Sequence, residues 1–364
     1  MIAATSDGGA LLAGFGFILI AAVAGGAFGL QYRVMKKYTV ENSSLLSLFF
    51  ATIVVPLIAI QFILPGWTEA IRAVGWKQNL LVFGFGFGWG LGAITYAYGF
   101  NILGMALAAS LLKGITIAIG SGIPLMRRWN DPSLGTDAKT ATVVGLVILI
   151  GGTAFASKAG SMREKQLAEE DGKDDSSPAE ASTVPRPTGT IYFVGLMMCL
   201  LSGVLSSCAN LGYDYAEPLE KAMGNGLTWK ATLIRWMPMY WGGFTALIVF
   251  MGGSMIKNGT WRNYLSPGTG RDLLVSCAMG AVHFLAQIPY GIGAFYLGTL
   301  GTTVGWGVNI GMALIVASSI GFAMGEWESV SRRAVNTLLL GIAILVVAIG
   351  ILAHANSLVV PIAQ

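Results

Sequence analysis

The sequence predicts an all-α integral membrane protein of ten transmembrane helices, arranged as a 5+5 inverted repeat. Three observations lead there. Ten apolar stretches are each long enough to cross a hydrocarbon core of about 30 Å. One long polar segment divides them five and five, and short motifs recur in the two halves at a nearly constant offset. The composition agrees: 54% of residues are hydrophobic, 11% are charged and the mean hydropathy is +0.68, whereas a soluble domain is roughly 25% charged.

The predicted spans are 10–31, 44–64, 79–100, 104–126, 140–157, 190–212, 230–252, 273–297, 300–323 and 334–354. Residues 1–9 carry only Asp7, so the first span lacks the positive n-region of a cleaved signal peptide and reads as a retained helix. The third and fourth spans are separated by Asn101–Leu103 alone, and the eighth and ninth by Gly298–Thr299, which predicts two tight antiparallel hairpins. Glycines at helix-packing spacing (Gly84, Gly88, Gly92; Gly301, Gly305) permit close backbone approach. Lys113 lies within the fourth span. Arg235 lies one turn inside the seventh, from where it is expected to snorkel outward.

Residues 158–189 are charged, rich in Pro and Ser and without apolar periodicity, so they are expected to form a disordered cytoplasmic linker between a first repeat, 1–157, and a second, 190–364. Tyr96-x-x-Gly99-x-x-x-Leu103-Gly104 recurs 194 residues later as Tyr290-x-x-Gly293-x-x-x-Leu297-Gly298. Gly145-x-x-Ile148-Leu149 recurs after 196 residues as Gly341-x-x-Ile344-Leu345. Because each half has an odd number of spans, the second copy must enter the bilayer upside down. Secondary transporters built this way hold substrate near the midplane, between the repeats.

The net charge of +4 reports topology rather than nucleic-acid binding. Loops on the side of both termini carry 7 Lys and Arg, and loops on the other side carry 13. The positive-inside rule therefore places both termini in the periplasm and the 158–189 linker in the cytoplasm. Arg127 and Arg128 count against this orientation.

A polar side chain in a membrane helix faces the bundle interior or a water-filled cavity, because facing lipid is costly. His283, Gln287 and Tyr290 fall at i, i+4 and i+7, one helical stripe. Trp306 and Asn309 are three apart, Trp89 and Tyr96 seven apart, and Ser202, Ser206 and Asn210 recur every four residues. Such a set suits a small polyol: amides and hydroxyls pair with sugar hydroxyls, and an aromatic face packs on the C–H face of a pyranose. Each residue taken alone is equally what interhelical hydrogen bonding or an interfacial anchor would use. Lys113 could hold an anionic substrate group, exchange a proton or bond to carbonyls. His283 is a second candidate for proton coupling, since imidazole titrates near neutrality. Asp214 and Glu217 follow the sixth span; they could reach a vestibule, although a solvated loop is the simpler expectation, and Asp214 is the third coupling candidate.

No phosphate-binding G-x-x-x-x-G-K-[ST] loop and no H-E-x-x-H zinc motif occur, and nothing resembles a selectivity filter. The three cysteines have no metal or pairing spacing, so no cofactor or metal is expected. These absences disfavour an ATP-driven pump, a zinc protease and a channel, and leave a secondary transporter rather than an enzyme.

Three colinear segments carry a family resemblance. GFGFGWGLGAITYAYGFNILGMALA (Gly84 to Ala108) is similar to the glycine-and-tryptophan run of the bacterial L-rhamnose–proton symporters, within the drug/metabolite transporter superfamily. GEWESVSRRAVNTLLLGIAIL (Gly325 to Leu345) is similar to that family's segment leading into the last helix, and YRVMKKYTVEN to its first basic loop. The resemblance covers both halves. It implies a ten-helix 5+5 fold, a bacterial inner membrane and proton-coupled uptake of a deoxy-sugar. It places Trp89, Gly90, Gly92, Tyr96, Leu103, Gly104 and Met105 near the translocation path, and Glu326, Trp327, Arg332 and Arg333 at the cytoplasmic surface. Lys113, where the family has an apolar residue, and Asn309, where a histidine is expected, depart from the pattern. A cationic cavity suits an acidic sugar or phosphorylated metabolite, so an exchanger or exporter of an anionic or amino metabolite on the same fold is the alternative. A sensory protein using a transporter-like bundle is a third reading, supported only by the acidic linker.

Overall fold

The structure, a computed structural model, describes residues 8–27, 35–103, 105–171, 189–224 and 228–360. The described residues form helices, turns and bends and contain no strand. Helix α1 spans Gly8–Ala27. Val40–Phe49 (α2) continues through a π turn, Phe50–Val54, into Val55–Ile63 (α3). A short helix, Trp67–Ala73 (α4), precedes the long helices Gly75–Leu103 (α5), Met105–Arg127 (α6) and Thr136–Asp171 (α7). The second half holds Thr190–Tyr215 (α8), Glu217–Lys221 (α9), a 3-10 turn at Trp229–Arg235 and Trp236–Leu247 (α10). A π turn, Ile248–Gly252, then leads into Gly253–Asn258 (α11), followed by Gly270–Leu297 (α12), Gly301–Ala323 (α13) and Arg332–Ser357 (α14). Among the described residues, seven segments are long and apolar enough to cross a membrane, the longest of them, 270–323, folding into α12 and α13. The chain is thus an all-helical integral membrane protein.

Local chemistry sets the helix boundaries. Thr39 caps α2 in a capping box with Asn42, whose side chain returns to the Thr39 N–H. Pro56 stands in the first turn of α3, where its missing N–H follows directly on the π turn. Gly298 makes the sharp reversal between α12 and α13 at φ +62°, a conformation that favours glycine. The predicted hairpin at Gly298–Thr299 is therefore present. Gly104, in the corresponding position after α5, lies outside the described residues.

Small residues fix the packing. On α5, Gly86 and Gly90 face α10, while Gly88 and Gly92 face α8. A methyl group on Gly86 would meet the Met239 carbonyl oxygen at 1.8 Å, and one on Gly280 the Ser47 carbonyl oxygen at 2.3 Å. Between α7 and α14, Gly145 receives Leu352 and Gly341 receives the backbone of Ala156. Helix α5 packs on α8 and α10, as α12 packs on α1 and α2; α6 lies on α8, as α13 lies on α1.

Helix α7 differs from expectation at its far end: it continues through 158–171, the beginning of the segment expected to be disordered. The stretch is rich in good helix formers, Lys165 pairs with Glu169 one turn on, and Gln166 donates to the Ser329 carbonyl at 2.9 Å. Residues 172–188 lie outside the described residues.

Candidate functional site

The site is assembled from the middle of α8 outward. Asn210 is fully buried and satisfies its amide on three other helices. Its Nδ2 donates to the carbonyls of Gly120 on α6 (2.7 Å) and Thr302 on α13 (2.8 Å), and its Oδ1 accepts from the Tyr290 hydroxyl on α12 (2.5 Å). Close approach of Trp306 makes this possible: its Nε1 donates to the Thr116 carbonyl at 3.3 Å, and its ring fills the space that a side chain at Gly120 would occupy. Tyr290 meets Trp306 edge to face, with centroids 5.8 Å apart.

Aromatic rings continue the cluster into α10. Tyr213 lies 4.6 Å from Trp236 and 5.5 Å from Tyr290, and Trp236 stacks on Tyr240 at 5.4 Å. Trp89 joins through Tyr240 at 6.4 Å and packs against Gly243. Within this cluster, the Trp236 Nε1 and the Tyr240 hydroxyl are buried without a hydrogen-bond partner, as is Asn309 Oδ1 on the neighbouring α13. Buried polar atoms are normally paired, so these three, like the Ser121 and Thr303 hydroxyls, are open to a ligand's hydrogen bonds.

Nearer the end that holds both termini, the polar residues become ionic. Asp214 is fully buried at the C-terminal end of α8, where the helix dipole disfavours a carboxylate. Two arginines compensate it from the end of α6. Arg127 pairs with its Oδ2, and Arg128 Nη1 donates to its Oδ1 at 2.6 Å. The Thr302 hydroxyl donates to the same Oδ1 at 2.6 Å, which links the ion pairs directly to the residue whose carbonyl holds Asn210. Arg128 also reaches Glu217 at 3.4 Å, and the Arg127 guanidinium lies 3.9 Å above the Tyr215 ring. Arg235 pairs with Glu220 and lies over Tyr213.

The sequence-predicted residues thus divide. Asn210, Tyr290 and Trp306 come together, with Trp89 at the edge of the same aromatic cluster. Gln287 and His283 lie on the Tyr290 stripe of α12, and Asn309 is one turn from Trp306. Lys113 shares its helical face with Thr116 and Gly120, which meet Trp306, and makes no hydrogen bond or ion pair among the described residues. The side chain of Tyr96 lies outside the described residues. Two expectations are corrected. Asp214 and Glu217 are not in a solvated loop but in an ion-pair network, because two adjacent arginines on α6 need carboxylates beside them. Arg235 does not snorkel outward: its side chain is 13% exposed and is held inward by the buried Glu220. The sequence reading missed Tyr213, Trp236 and Tyr240; the signal for the last two was the aromatic pair four apart in Trp236-x-x-x-Tyr240, directly after Arg235.

Comparison with known proteins gives this interior a family. Three relatives are named L-rhamnose-proton symporter. The one from Cronobacter sakazakii is 22% identical over 349 residues, 92% of this chain and 94% of the relative. That from Shigella boydii serotype 18 is 22% identical, and that from Escherichia coli 21%; each alignment runs over 358 residues, 94% of this chain and 97% of the relative. A family model described as L-rhamnose-proton symport protein matches residues 8–357, from the first residue of α1 to the last of α14. The chain therefore belongs to the L-rhamnose-proton symport protein family, a family of transporters and not of enzymes.

Proposed function

We propose that this chain carries L-rhamnose, or a related deoxy-sugar, together with protons across the bacterial inner membrane, by alternating access of two inverted five-helix repeats. The repeats are 1–157 and 190–364, both termini are periplasmic, and 158–189 connects the repeats in the cytoplasm. Membership of a sugar–proton symport family along nearly the whole chain carries the reading.

Paired contacts support the repeat. Gly86 and Gly280 are 194 residues apart, the offset of the Tyr-x-x-Gly motif, and each accepts a carbonyl from the second helix of the opposite half, Met239 and Ser47 respectively. Gly145 against Leu352 becomes Gly341 against Ala156 when 196 residues are exchanged between the halves. Even the π turns at Phe50–Val54 and Ile248–Gly252 correspond, 198 residues apart. A two-fold axis in the membrane plane produces such exchange.

In this reading the sugar sits among the aromatic faces of Trp306, Tyr290 and Trp236, with Gln287, Asn309 and the Tyr240 hydroxyl available to its hydroxyls. Asp214 is the favoured proton carrier over His283 and Lys113. Its charge ties α8 to α6 and, through Thr302, to α13, so a proton on it weakens contacts between the repeats. An exchanger or exporter of an anionic or amino metabolite remains the second reading, on Lys113 alone, which has no ion-pair partner among the described residues. The test is uptake of radiolabelled L-rhamnose into proteoliposomes with and without an inward proton gradient. Gradient-stimulated uptake is expected; absence of uptake, with exchange of a sugar acid instead, would overturn the reading.

A further inference from the structure

Between the ion-paired end of the bundle and the aromatic cluster lies a cavity of about 290 Å³, near the lower limit of small-molecule pockets at roughly 300 Å³. It is bounded by the end of α8, the 3-10 turn before α10, and the α12–α13 reversal at Gly298 and Thr299. Its floor is made of Tyr213 and Thr302, the residues that touch Tyr290 and hold Asn210. The cavity is thus stacked directly on the central constellation and separated from it by one layer of side chains.

Its wall is built for a ligand that both donates and accepts hydrogen bonds. Glu220 and Arg235, with side chains 6% and 13% exposed, meet through Glu220 Oε2 and Arg235 Nε. That leaves Glu220 Oε1 and both Arg235 terminal nitrogens without a protein partner among the described residues, on side chains that line the cavity. An acceptor and a pair of donors are therefore held side by side in fixed geometry, the complement of two neighbouring hydroxyls. Arg128 and Arg235 line the wall beside the carboxylates of Asp131, Glu217 and Glu220, and Lys221 just outside it pairs with Glu217 at 2.7 Å, so three cations offset three carboxylates and neither sign of charge gains an advantage. An anion would face three carboxylates and a cation two guanidiniums. The rings of Tyr213 and Phe295 supply apolar faces of the kind that pack on sugar C–H groups.

The geometry points to a second, vestibular binding site for a neutral monosaccharide, distinct from the central one, that receives the sugar at the termini end before it passes Tyr213 and Thr302. This rests on the sugar-symport reading. Two substitutions fill the cavity without touching a charge: Ala294→Phe on α12, and Thr299→Phe on the reversal, where a half-exposed position tolerates a larger side chain. Equilibrium binding of tritiated L-rhamnose to the purified full-length protein is compared with uptake in proteoliposomes. The wild type should bind two sugars per chain and each variant one. Each variant should raise the KM for uptake at least fivefold with a smaller change in kcat, because capture is lost before the central step. Uptake by a wild type that binds one sugar, or variants with unaltered stoichiometry and KM, would overturn the vestibule alone. A wild type that neither binds nor transports L-rhamnose would overturn the symport reading and the vestibule with it.

Discussion

The two ends of the bundle solve the same problem with different chemistry. At the termini end, Gln78 in the first turn of α5 donates to the Tyr215 carbonyl at 2.5 Å. At the linker end, 194 residues later in the chain, Asp272 in the first turn of α12 accepts from the backbone N–H groups of Lys36, Lys37 and Tyr38 at 3.1, 2.6 and 2.9 Å. Each fastens a helix start to a segment contributed by the opposite half. The termini end adds the Asp214 ion cluster to its neutral amide. The corresponding contact at the linker end is a single carboxylate in a cradle of peptide groups, backed by Tyr264 donating to the Asn42 carbonyl at 2.8 Å. One closure adds side chain-to-side chain ion pairs to its amide–carbonyl bond and is dispersed; the other is side chain to backbone and concentrated on one residue.

The largest effect is expected at the buried Asp214. Asp214→Ala leaves Arg127 without its carboxylate and Arg128 with Glu217 alone; because the guanidiniums are 33% and 18% exposed, the cost falls below that of stranding a fully buried charge, at about 2–3 kcal/mol. Rhamnose uptake should fall at least tenfold, and the melting temperature in detergent should drop. Adding Arg128→Met to Asp214→Ala removes one stranded cation and should restore part of the stability but not the uptake. Recovery of both would show that the carboxylate only balances charge.

Asp272→Asn should act next. Asparagine keeps the shape and one acceptor oxygen, but loses the charge that strengthens bonds worth about 1.5–3 kcal/mol each. A loss of about 2 kcal/mol in stability is expected, with faster hydrogen exchange at the amides of Lys36, Lys37 and Tyr38 by mass spectrometry. Unchanged exchange at these amides would mean that the cradle is held by α2 and its capping box rather than by the carboxylate.

Much of this architecture was legible in the sequence, and the omissions have a common cause. Hydropathy and the Gly298 reversal were readable because membrane insertion and backbone sterics act locally. The 194-residue offset was readable because glycines stand at close helix contacts in both halves, as at Gly86 and Gly280. The Asp214 cluster was not, because its members stand at span edges, where a lone charge is expected to be solvated or to snorkel. Two features pointed to each other: paired arginines at 127 and 128 on the side that carries fewer basic residues, and the acidic run of Asp214, Glu217 and Glu220 on that same side. Only the packing of α6 against α8 turns those two features into one ion network. For the polar stripe of α8 the sequence left both a cavity and interhelical hydrogen bonding open. Ser202 donates to the Gly92 carbonyl at 2.8 Å and Asn210 is fully engaged, so both bind helices together. Buried polar atoms without a partner among the described residues lie elsewhere, the Trp236 Nε1 and the Tyr240 hydroxyl among them.

Lys113 sharpens the comparison from the middle of the membrane. The vestibule is balanced in charge, whereas Lys113 has no ion-pair partner among the described residues. If the cargo is a neutral sugar, Lys113→Met should leave rhamnose uptake within about threefold and raise the melting temperature, since a charge within a span costs roughly 2.5–3.5 kcal/mol. Abolished uptake, with sugar-acid exchange lost in parallel, would transfer the central role to the lysine.

The smallest effect belongs to the linker. Deleting 173–186 removes the acidic tract beyond α7 while sparing its helical end, where Arg163 pairs with Glu326 at 3.2 Å and Gln166 accepts from the Ser331 N–H at 2.8 Å. Those contacts bind the last turns of α7 to the segment before α14, so α7 is anchored through 163–166 and not through the acidic tract. The deletion should therefore leave uptake and melting temperature unchanged, whereas Arg163→Ala, which strips a half-exposed ion pair and its stacking on Trp327, should lower stability by about 0.5–1 kcal/mol. A deletion that abolished transport while Arg163→Ala did not would reverse the assignment and make the acidic tract part of the transport cycle.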